Sequence, residues 1–231
     1  MSIYSNQKRK HYLFYKNEDH FTNPKEYFKK AELILSEKLE KKRNNIALDF
    51  LDIGCAAGDF IRYIHKTSRN KLDLNFFGTD VMDELLIEAK ERCPYARFGN
   101  CDLSEKETNI SSVFNTKFDF ISMLSVHAIF DDLFWINNIF DSLKKDGYAL
   151  IWGLFNPYPY DVIMRVKKSG EEHLEPGWNV HSKKSVFDRC KTLGAKCEFL
   201  DFEPDIVLKK DKNDFLRSWN FDISGPKNDI F

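Results

Sequence analysis

The stretch that decides the fold is "LDIGCAAGDF", residues 51–60. The apolar run "IALDFLDIG" (46–54) leads into it and is typical of a buried strand, while "GDFIRYIHKT" (58–67) leads out of it and predicts a helix. A turn of small residues between a strand and a helix lets a ligand approach the backbone closely and presents the helix N-terminus to polar groups. The sequence therefore predicts a ligand site at this turn.

The spacing of the small residues separates two classes of nucleotide ligand. The dinucleotide frame G-x-G-x-x-G falls on Gly54, Ala56 and Asp59, and Asp59 would put bulk and negative charge where a pyrophosphate binds. The shorter frame G-x-G-x-G falls on Gly54, Ala56 and Gly58, and only its middle glycine is replaced, by Ala. Asp52 lies two residues before the first Gly and would also repel a pyrophosphate, so a dinucleotide ligand is excluded.

Strands alternate with helices along the rest of the chain. This alternation is typical of an α/β protein with a mostly parallel sheet, whose ligands bind at the carboxyl ends of the strands. Before the first strand, "NPKEYFKKAELILSEKLEKK" (23–42) predicts an amphipathic helix, with Asn23 as its cap and Pro24 at its first position. The predicted strands are 46–54, 72–80, 95–103, 118–126, 148–155 and 195–204, and the later helices are 58–67, 82–93, 131–145 and 182–194.

The tight turn preceded by an acid resembles motif one of the class I S-adenosylmethionine-dependent methyltransferases. Two more acids stand where that family has them: Asp80 ends the second predicted strand, and Asp102 follows the third in "GNCDL". "IFDSLKKDGYALIW" (139–152) also resembles the family's stretch before strand five, although Lys-Asp replaces its usual Pro-Gly pair. The resemblance extends from about residue 46 to residue 155.

The resemblance implies a Rossmann-like fold with a mostly parallel seven-stranded sheet flanked by helices, preceded by an N-terminal helical cap. Residues 1–45 would form the cap or lid and residues 46–231 the cofactor-binding methyltransferase domain, with "SWNFDI" (218–223) as its antiparallel seventh strand. Within the cap, "HYLFYKNEDHF" (11–21) offers Tyr12 and Tyr15 as cofactor contacts.

The resemblance also implies S-adenosyl-L-methionine as cofactor and S-adenosyl-L-homocysteine as product. Asp52 would lie near the methionine end, Asp80 would accept hydrogen bonds from both ribose hydroxyls, and Asp102 would receive the adenine amine. The predicted cofactor-binding residues are Asp52, Gly54, Cys55, Ala56, Gly58, Asp80, Val81, Asp102, Leu103 and Ser125.

A hydroxyl acceptor needs a base, because its proton must leave as the methyl group arrives. His127, directly after the fourth predicted strand, and His181, in the loop "EPGWNVHS" (175–182), are the predicted catalytic residues. The alternative for His127 is a surface or packing histidine, and the alternative for His181 is a loop that only caps the following helix. Asp131 and Asp132 are carboxylates that a metal could use, but acids are also favoured at a helix start, and we predict no metal.

"NPYPY" (156–160) is close to the N/D-P-P-Y motif of amino methylases but follows the fifth predicted strand instead of the fourth, and a Tyr separates its prolines. We therefore predict a rigid loop at the mouth of the pocket, with Asn156, Tyr158, Tyr160 and the nearby Trp178 binding substrate. The alternative is a structural turn with half-buried tyrosines.

Composition narrows the class of partner. The 231 residues carry a formal net charge of −1, which argues against nucleic acid as a partner. Five cysteines without a C-x-x-C pair suggest neither a disulfide framework nor a zinc site, and no signal peptide or membrane span is predicted, so we expect a cytoplasmic protein. The apolar end, Ile230-Phe231, predicts either a truncated product or an end that docks into a partner.

Together these features predict a methyltransferase for a small polar acceptor. An oxygen acceptor on a sugar or related metabolite is favoured, because the region after the fourth predicted strand lacks an amino-methylase signature, histidines lie near the predicted site, and the loops are rich in Tyr, Trp and Asn. The loops after strand five also resemble those of bacterial methyltransferases of surface-polysaccharide pathways. The partner would then be a small molecule or a glycan. The alternatives are an N-methyltransferase of a small amine, of nucleic acid or of protein, and a non-catalytic binding protein of the same fold.

Overall fold

The computed structural model describes residues 10–41, 47–68, 72–105, 108–167, 169–170 and 172–202. The chain divides into two compact units, Met1–Leu200 and Asp201–Phe231. All the elements below belong to the first unit, and of the second only residues 201 and 202 are described.

A five-stranded parallel sheet forms the centre of the first unit, in the order β3-β2-β1-β4-β5. The order reverses between β1 and β4, and ligands of open α/β sheets bind beside such a reversal at the carboxyl ends of the strands. The strands are β1 (Leu48–Ile53), β2 (Leu74–Asp80), β3 (Ala96–Asn100), β4 (Phe118–Leu124) and β5 (Leu143–Trp152).

Helices cover both faces of the sheet. They are α1 (Glu26–Glu40), α2 (Asp59–Ser68), α3 (Asp83–Arg92), α4 (Ile110–Phe114), α5 (Phe134–Ser142) and α6 (Lys183–Thr192). Short 3-10 helices run over Lys10–Lys16 and His127–Ile129. Two small strand pairs complete the unit: β6 (Phe155–Asn156) with β9 (His181–Ser182), and β7 (Arg165–Lys167) with β8 (Leu174–Pro176).

The core consists of two layers, one on each face of the sheet. Phe50 of β1 packs with α1 and α2, whereas its neighbour Leu51 packs with α4 and α5 on the other face. Both side chains are fully buried. Successive residues of a strand point to opposite faces, so a strand covered on both sides reads as a continuous apolar run, as the sequence of β1 does.

The predicted α/β class and parallel sheet are confirmed, and the described residues contribute five strands to a sheet for which seven were expected. The predicted strand at 195–204 is wrong over its described part, because residues 195–202 pair with no strand. Cys197 and Phe199 pack instead against the core layer beside α6. One-sided burial of this extended segment explains the alternating sequence pattern without any strand pairing. The predicted seventh strand at 218–223 lies outside the described residues.

The boundaries of two helices, α1 and α5, differ most from the predictions. α1 begins at Glu26, and Lys25 occupies the cap position without a side-chain hydrogen bond, so Asn23 and Pro24 lie outside the helix. The helix predicted over 131–145 ends at Ser142, because β5 begins at Leu143 and pairs there with Phe118 of β4. α1 packs into the same core as the sheet. A cap formed by residues 1–45 stays a prediction.

Within the part of the chain that the structure describes, no helix is both long and apolar enough to cross a membrane.

Candidate functional site

A cavity opens at the carboxyl edge of the sheet, beside the reversal in strand order. Its empty volume is about 1190 Å³, which includes open solvent at its mouth. The loops after β1, β2, β3 and β4 line it, together with five residues of the N-terminal segment (residues 10–25) and the first turn of α1: Tyr15, His20, Lys25, Tyr27 and Phe28. Nine of the ten predicted cofactor-binding residues line this cavity, all except Gly58.

The turn after β1 requires small residues for two physical reasons. Gly54 has φ +70°, and a Cβ atom there would lie 2.2 Å from Cγ2 of Val126. Gly58 has φ +84°, and its Cβ would lie 3.1 Å from the Sγ atom of Cys93 and 3.5 Å from the Cβ atom of Ala89, so this glycine allows close packing against α3. Ala56 also adopts the left-handed region, at φ +46°, where an L-residue is strained.

Asp80 holds the turn and the start of α3 in place. Its Oδ2 atom accepts a hydrogen bond of 3.0 Å from the backbone N–H of Ala56, and its Oδ1 atom accepts one of 3.0 Å from Met82. A carboxylate has about four lone-pair sites, so two remain for neighbouring hydroxyl groups such as those of a ribose. Burial raises the pKa of Asp80, and these backbone hydrogen bonds oppose that shift.

Asp52 is a buried carboxyl group beneath the same turn. The Oγ atom of Ser122 on β4 donates to its Oδ1 atom at 2.7 Å. Burial raises the pKa of Asp52 to about 7, the Ser122 hydrogen bond opposes this, and the nearby Asp80 charge adds to it. A cationic ligand in the cavity would favour the ionised form and bring the pKa back down.

Asp102 lies at the cavity wall beyond β3. Its Oδ1 atom accepts hydrogen bonds from the backbone N–H of Ser104 at 2.9 Å and from the Ser104 hydroxyl at 2.6 Å. Cys101 and Leu103 on either side are buried apolar residues. An apolar wall with one carboxylate at its edge suits an adenine ring and its amine.

The N-terminal segment supplies cavity residues that the sequence prediction missed. Tyr15 lines the cavity as expected, but His20, Lys25 and Tyr27 line it too. Tyr27 falls on the apolar stripe of α1, so the pattern alone assigned it to the core, and nothing in the spacing marked His20 or Lys25. The side chain of Tyr12 lies outside the described part of the structure.

His20 is held against the cavity from two sides. Its Nε2 atom pairs with the carboxylate of Glu18, and its backbone N–H donates to Oδ2 of Asp59 at 2.9 Å. From the sequence, Asp59 was expected only to exclude a pyrophosphate. In the structure it lines the cavity at the start of α2 and anchors the N-terminal segment.

Neither predicted catalytic histidine lines the cavity. His127 is fully buried, stacks on Phe155 with ring centroids 4.6 Å apart, and places Nε2 3.3 Å from the carbonyl oxygen of Leu154. Burial lowers the pKa of His127 to about 4. His181 is also buried, with Nε2 3.0 Å from the carbonyl oxygen of Phe130. Both therefore have structural surroundings, and the geometry argues against either as a base.

The predicted substrate loop lies outside the cavity lining. Asn156 bonds its own turn, since its amide donates to the carbonyl of Tyr160 at 2.8 Å and accepts from the N–H of Tyr158 at 3.0 Å. This arrangement matches the structural-turn alternative. However, Tyr158, Tyr160 and Trp178 are about 70% exposed instead of half-buried.

The two acids considered as metal ligands have other partners. Asp132 accepts a hydrogen bond of 2.9 Å from the N–H of Phe134 at the start of α5, and Asp131 forms an ion pair with Arg165. Among the described residues, no group of three or more His, Cys, Asp or Glu side chains is placed to hold a metal ion.

Residues 51–149 match a family model described as a methyltransferase domain. No curated protein sequence matches the chain. Three solved structures illustrate the structural neighbours. The first is a TehB-like SAM-dependent methyltransferase from Corynebacterium glutamicum, 28% identical, with a TM-score of 0.39; the match covers 50% of this chain and 59% of that one.

The other two neighbours align over more of their length. DesVI of Streptomyces venezuelae is 14% identical, with a TM-score of 0.54, and the match covers 86% of this chain and 94% of that one. CalS10 of Micromonospora echinaspora, an amino pentose methyltransferase, is 14% identical, with a TM-score of 0.50 and coverage of 72% and 83%. At this identity the likeness shows the fold alone.

The turn after β1, the acids at the ends of β1 and β2 and after β3, and the matched family model agree with one another. The match to the methyltransferase-domain model spans residues 51–149, and this range contains the turn after β1 and all three acids.

Proposed function

We propose that the protein methylates a hydroxyl group of a small polar acceptor, a sugar or related metabolite, in a bacterial surface-polysaccharide pathway. The observation that carries the methyl-transfer part is the convergence of Asp52, Asp80 and Asp102 on one cavity beside the small-residue turn. Carboxylates at these positions suit a ligand with a cationic end and a hydroxylated, amine-bearing nucleoside.

The residues present fit S-adenosylmethionine. Asp80 would hold the ribose hydroxyls, Asp102 the adenine amine, and Asp52 would face the cationic methionine end. When bound, the cofactor supplies an electrophilic methyl group. The protein then has to align the acceptor with that group and to exclude water, and a partly enclosed cavity with apolar walls serves both tasks.

A hydroxyl acceptor must also lose a proton, and we assign His20 to that step. It is the one imidazole among the described residues that line the cavity, and its partner Glu18 would orient the ring and stabilise the imidazolium form. His20 thus takes the role first assigned to His127 and His181.

The acceptor class is supported by the loops outside the cavity. The exposed rings of Tyr158, Tyr160 and Trp178 offer stacking faces for a hydroxylated ring. Trp178 is tied to the rim, because the next residue, Asn179, donates its backbone N–H to the carbonyl of Ala128 at 2.7 Å, and Ile129 lines the cavity. We propose that these aromatic residues position the acceptor together with Asn156.

An amine acceptor is the second candidate, and one observation favours it. The described cavity lining contains four aspartates and a single lysine or arginine, a charge balance that attracts a cationic substrate. An amine needs only a neutral lone pair and so does not require a base.

Isothermal titration with S-adenosylhomocysteine, with NAD as a control ligand, tests the cofactor part. We expect micromolar binding that Asp80→Ala weakens at least about tenfold, because hydrogen bonds to a charged group are lost. Asp73→Ala, at the opposite end of β2, should bind as the wild type does. A folded wild type that does not bind S-adenosylhomocysteine would exclude the proposed function.

Incubation of the wild type with S-adenosylmethionine and a panel of sugars and amino sugars then tests the acceptor. Formation of S-adenosylhomocysteine that depends on a sugar without an amine, and that His20→Ala abolishes, is the expected result. Turnover of amino sugars alone, with His20→Ala still active, would favour the amine acceptor.

A further inference from the structure

Lys25 carries the opposite charge to the four aspartates of the cavity lining. Four aspartates line the cavity, at positions 52, 59, 80 and 102, and Lys25 is the sole lysine or arginine in the described lining. It lies on the N-terminal segment immediately before α1, where its side chain makes no capping hydrogen bond.

The ammonium group of Lys25 lies near aromatic rings and not against a carboxylate. Its Nζ atom is 5.5 Å from the ring centroid of Tyr15 and 5.7 Å from that of Tyr27, distances at which a cation is attracted to an aromatic face. In the described part of the chain, Nζ forms no ion pair within 4.0 Å and no hydrogen bond. Burial lowers the pKa of Lys25, and Glu18 and Asp59 oppose this shift only through longer-range attraction.

A half-buried ammonium group without a carboxylate partner is stabilised by any anion that enters the cavity. The acidic groups of the lining cannot serve an anion. The cavity carboxylates would repel it, and Asp59 places its own carboxylate in the first turn of α2, where a helix N-terminus would otherwise attract one.

We propose that Lys25 is the residue that binds a ligand carboxylate in this cavity; this inference rests on the proposed function. S-adenosylmethionine carries such a group at its amino-acid end, opposite the adenine that we assign to Asp102. An acidic acceptor, such as a sugar acid, is the second source of the same chemistry. In either case Lys25 links the N-terminal segment to the bound ligand.

The test compares two ligands that differ by one group. S-adenosyl-3-thiopropylamine is S-adenosylhomocysteine without its carboxylate. Isothermal titration of both ligands would be made with the wild type, Lys25→Met, Lys25→Arg and the control Lys29→Met. Lys29 is an exposed lysine of α1 that pairs with Glu26.

We expect Lys25→Met to weaken the affinity for S-adenosylhomocysteine about 10- to 100-fold and to leave the affinity for the analogue within about threefold of the wild-type value. Lys25→Arg should retain most of the affinity, and Lys29→Met should bind as the wild type does.

A different result is expected if the carboxylate that Lys25 binds belongs to the acceptor and not to the cofactor. Lys25→Met would then bind both ligands normally, while galacturonic acid, but not galactose, would raise the melting temperature of the wild type saturated with S-adenosylhomocysteine and not that of the variant. The inference is overturned when neither the carboxylate-dependent loss of affinity nor the Lys25-dependent galacturonate shift is found. A wild type that binds neither nucleoside contradicts the proposed function itself, so the two failures are distinguishable.

Discussion

Asp52 is buried and, among the described residues, its carboxyl group forms a single hydrogen bond, with Ser122. A carboxylate in such surroundings loses its hydration without full compensation, so its protonated form is favoured in the folded protein. The fold tolerates this because the same group faces the cavity, where a cationic ligand restores the ionised form. The ionised form of Asp52 thus lowers the stability of the free protein but favours the binding of a cationic ligand.

Asp52→Asn should remove a pH dependence of stability. The folded-state pKa is raised to about 7 from the ordinary 3.8, so the stabilising contribution is complete below the ordinary value and is lost as pH rises through 7. Urea unfolding should show the wild type losing about 3 kcal/mol relative to the variant between pH 5 and pH 8.

The control for this experiment is Asp73→Asn, which changes an exposed aspartate at the other end of β2. Its free energy of unfolding should run parallel to that of the wild type over the same pH range. Parallel profiles for Asp52→Asn as well would mean that Asp52 ionises normally in the folded protein.

The cavity positions of Asp52 and Asp80 were predictable from the sequence because both lie at the carboxyl end of a strand. Once the apolar runs place β1 and β2, their last residues must lie at the carboxyl edge of the sheet, and Asp52 and Asp80 are among them. Their roles in cofactor binding stay predictions. His127 was not predictable in the same way. Its burial depends on Phe155 and on Gly153, where a Cβ atom would lie 1.8 Å from Cε1 of His127, and neither contact is visible in a local pattern.

Among the elements, the N-terminal segment is held beside the sheet by side chains of α2 and α3. Arg92 donates from Nη2 to the carbonyl oxygen of Lys16 at 2.6 Å and places Nη1 3.3 Å from Oδ1 of Asp59. Asp59 in turn accepts the backbone N–H of His20 at 2.9 Å. These contacts hold the segment that carries Tyr15, His20 and Lys25 beside the cavity.

Arg92→Ala should release this segment without unfolding the protein. The hydrogen bond to Lys16 and the ion pair with Asp59 are lost together, so hydrogen–deuterium exchange of residues 14–22 should accelerate about 5- to 100-fold. Exchange in β1 and β4, which are buried on both faces, should not change. Lys90→Ala, an exposed residue of the same helix, serves as the matched control. Unchanged exchange in Arg92→Ala would show that other contacts hold the segment.

Element types followed from the sequence more reliably than element ends. Periodicity shows which side of a segment is buried, and this was enough for α2 and for β1 to β4. It does not show whether an extended backbone finds a pairing partner, which is why residues 195–202 were assigned to a strand. At Ser142 the helical pattern of α5 continues into "LKK", and only the pairing of Leu143 with Phe118 ends the helix.

In the first unit as a whole, the carboxyl edge and the amino edge of the sheet have different roles. The carboxyl edge forms the cavity. Near the amino edge, Nζ of Lys144 lies 2.7 Å from Oδ2 of both Asp49 and Asp119, so one ammonium group joins β1, β4 and β5. Asp119 also accepts the backbone N–H of Asp49 at 3.0 Å. This cluster contains no cavity residue, and its role is to keep neighbouring strands in register.

Lys144→Met should therefore reduce stability and leave ligand binding intact. Removal of the ammonium group leaves two carboxylates close together, of which Asp119 is buried. Because Lys144 itself is partly exposed, the loss should be about 1–3 kcal/mol, between the values for exposed and for buried pairs. Urea unfolding measures this loss, and 1 M salt should reduce it by screening the remaining repulsion.

The affinity for S-adenosylhomocysteine separates this effect from one on the site. Measured at a temperature where both proteins are folded, it should be the same for Lys144→Met and the wild type, and Lys145→Met, which changes the exposed neighbour, should alter neither quantity. A loss of affinity in folded Lys144→Met would mean that strand register at the amino edge controls the positions of Asp52 and Asp80 at the opposite edge. The cavity would then depend on the whole sheet, and not only on the loops that line it.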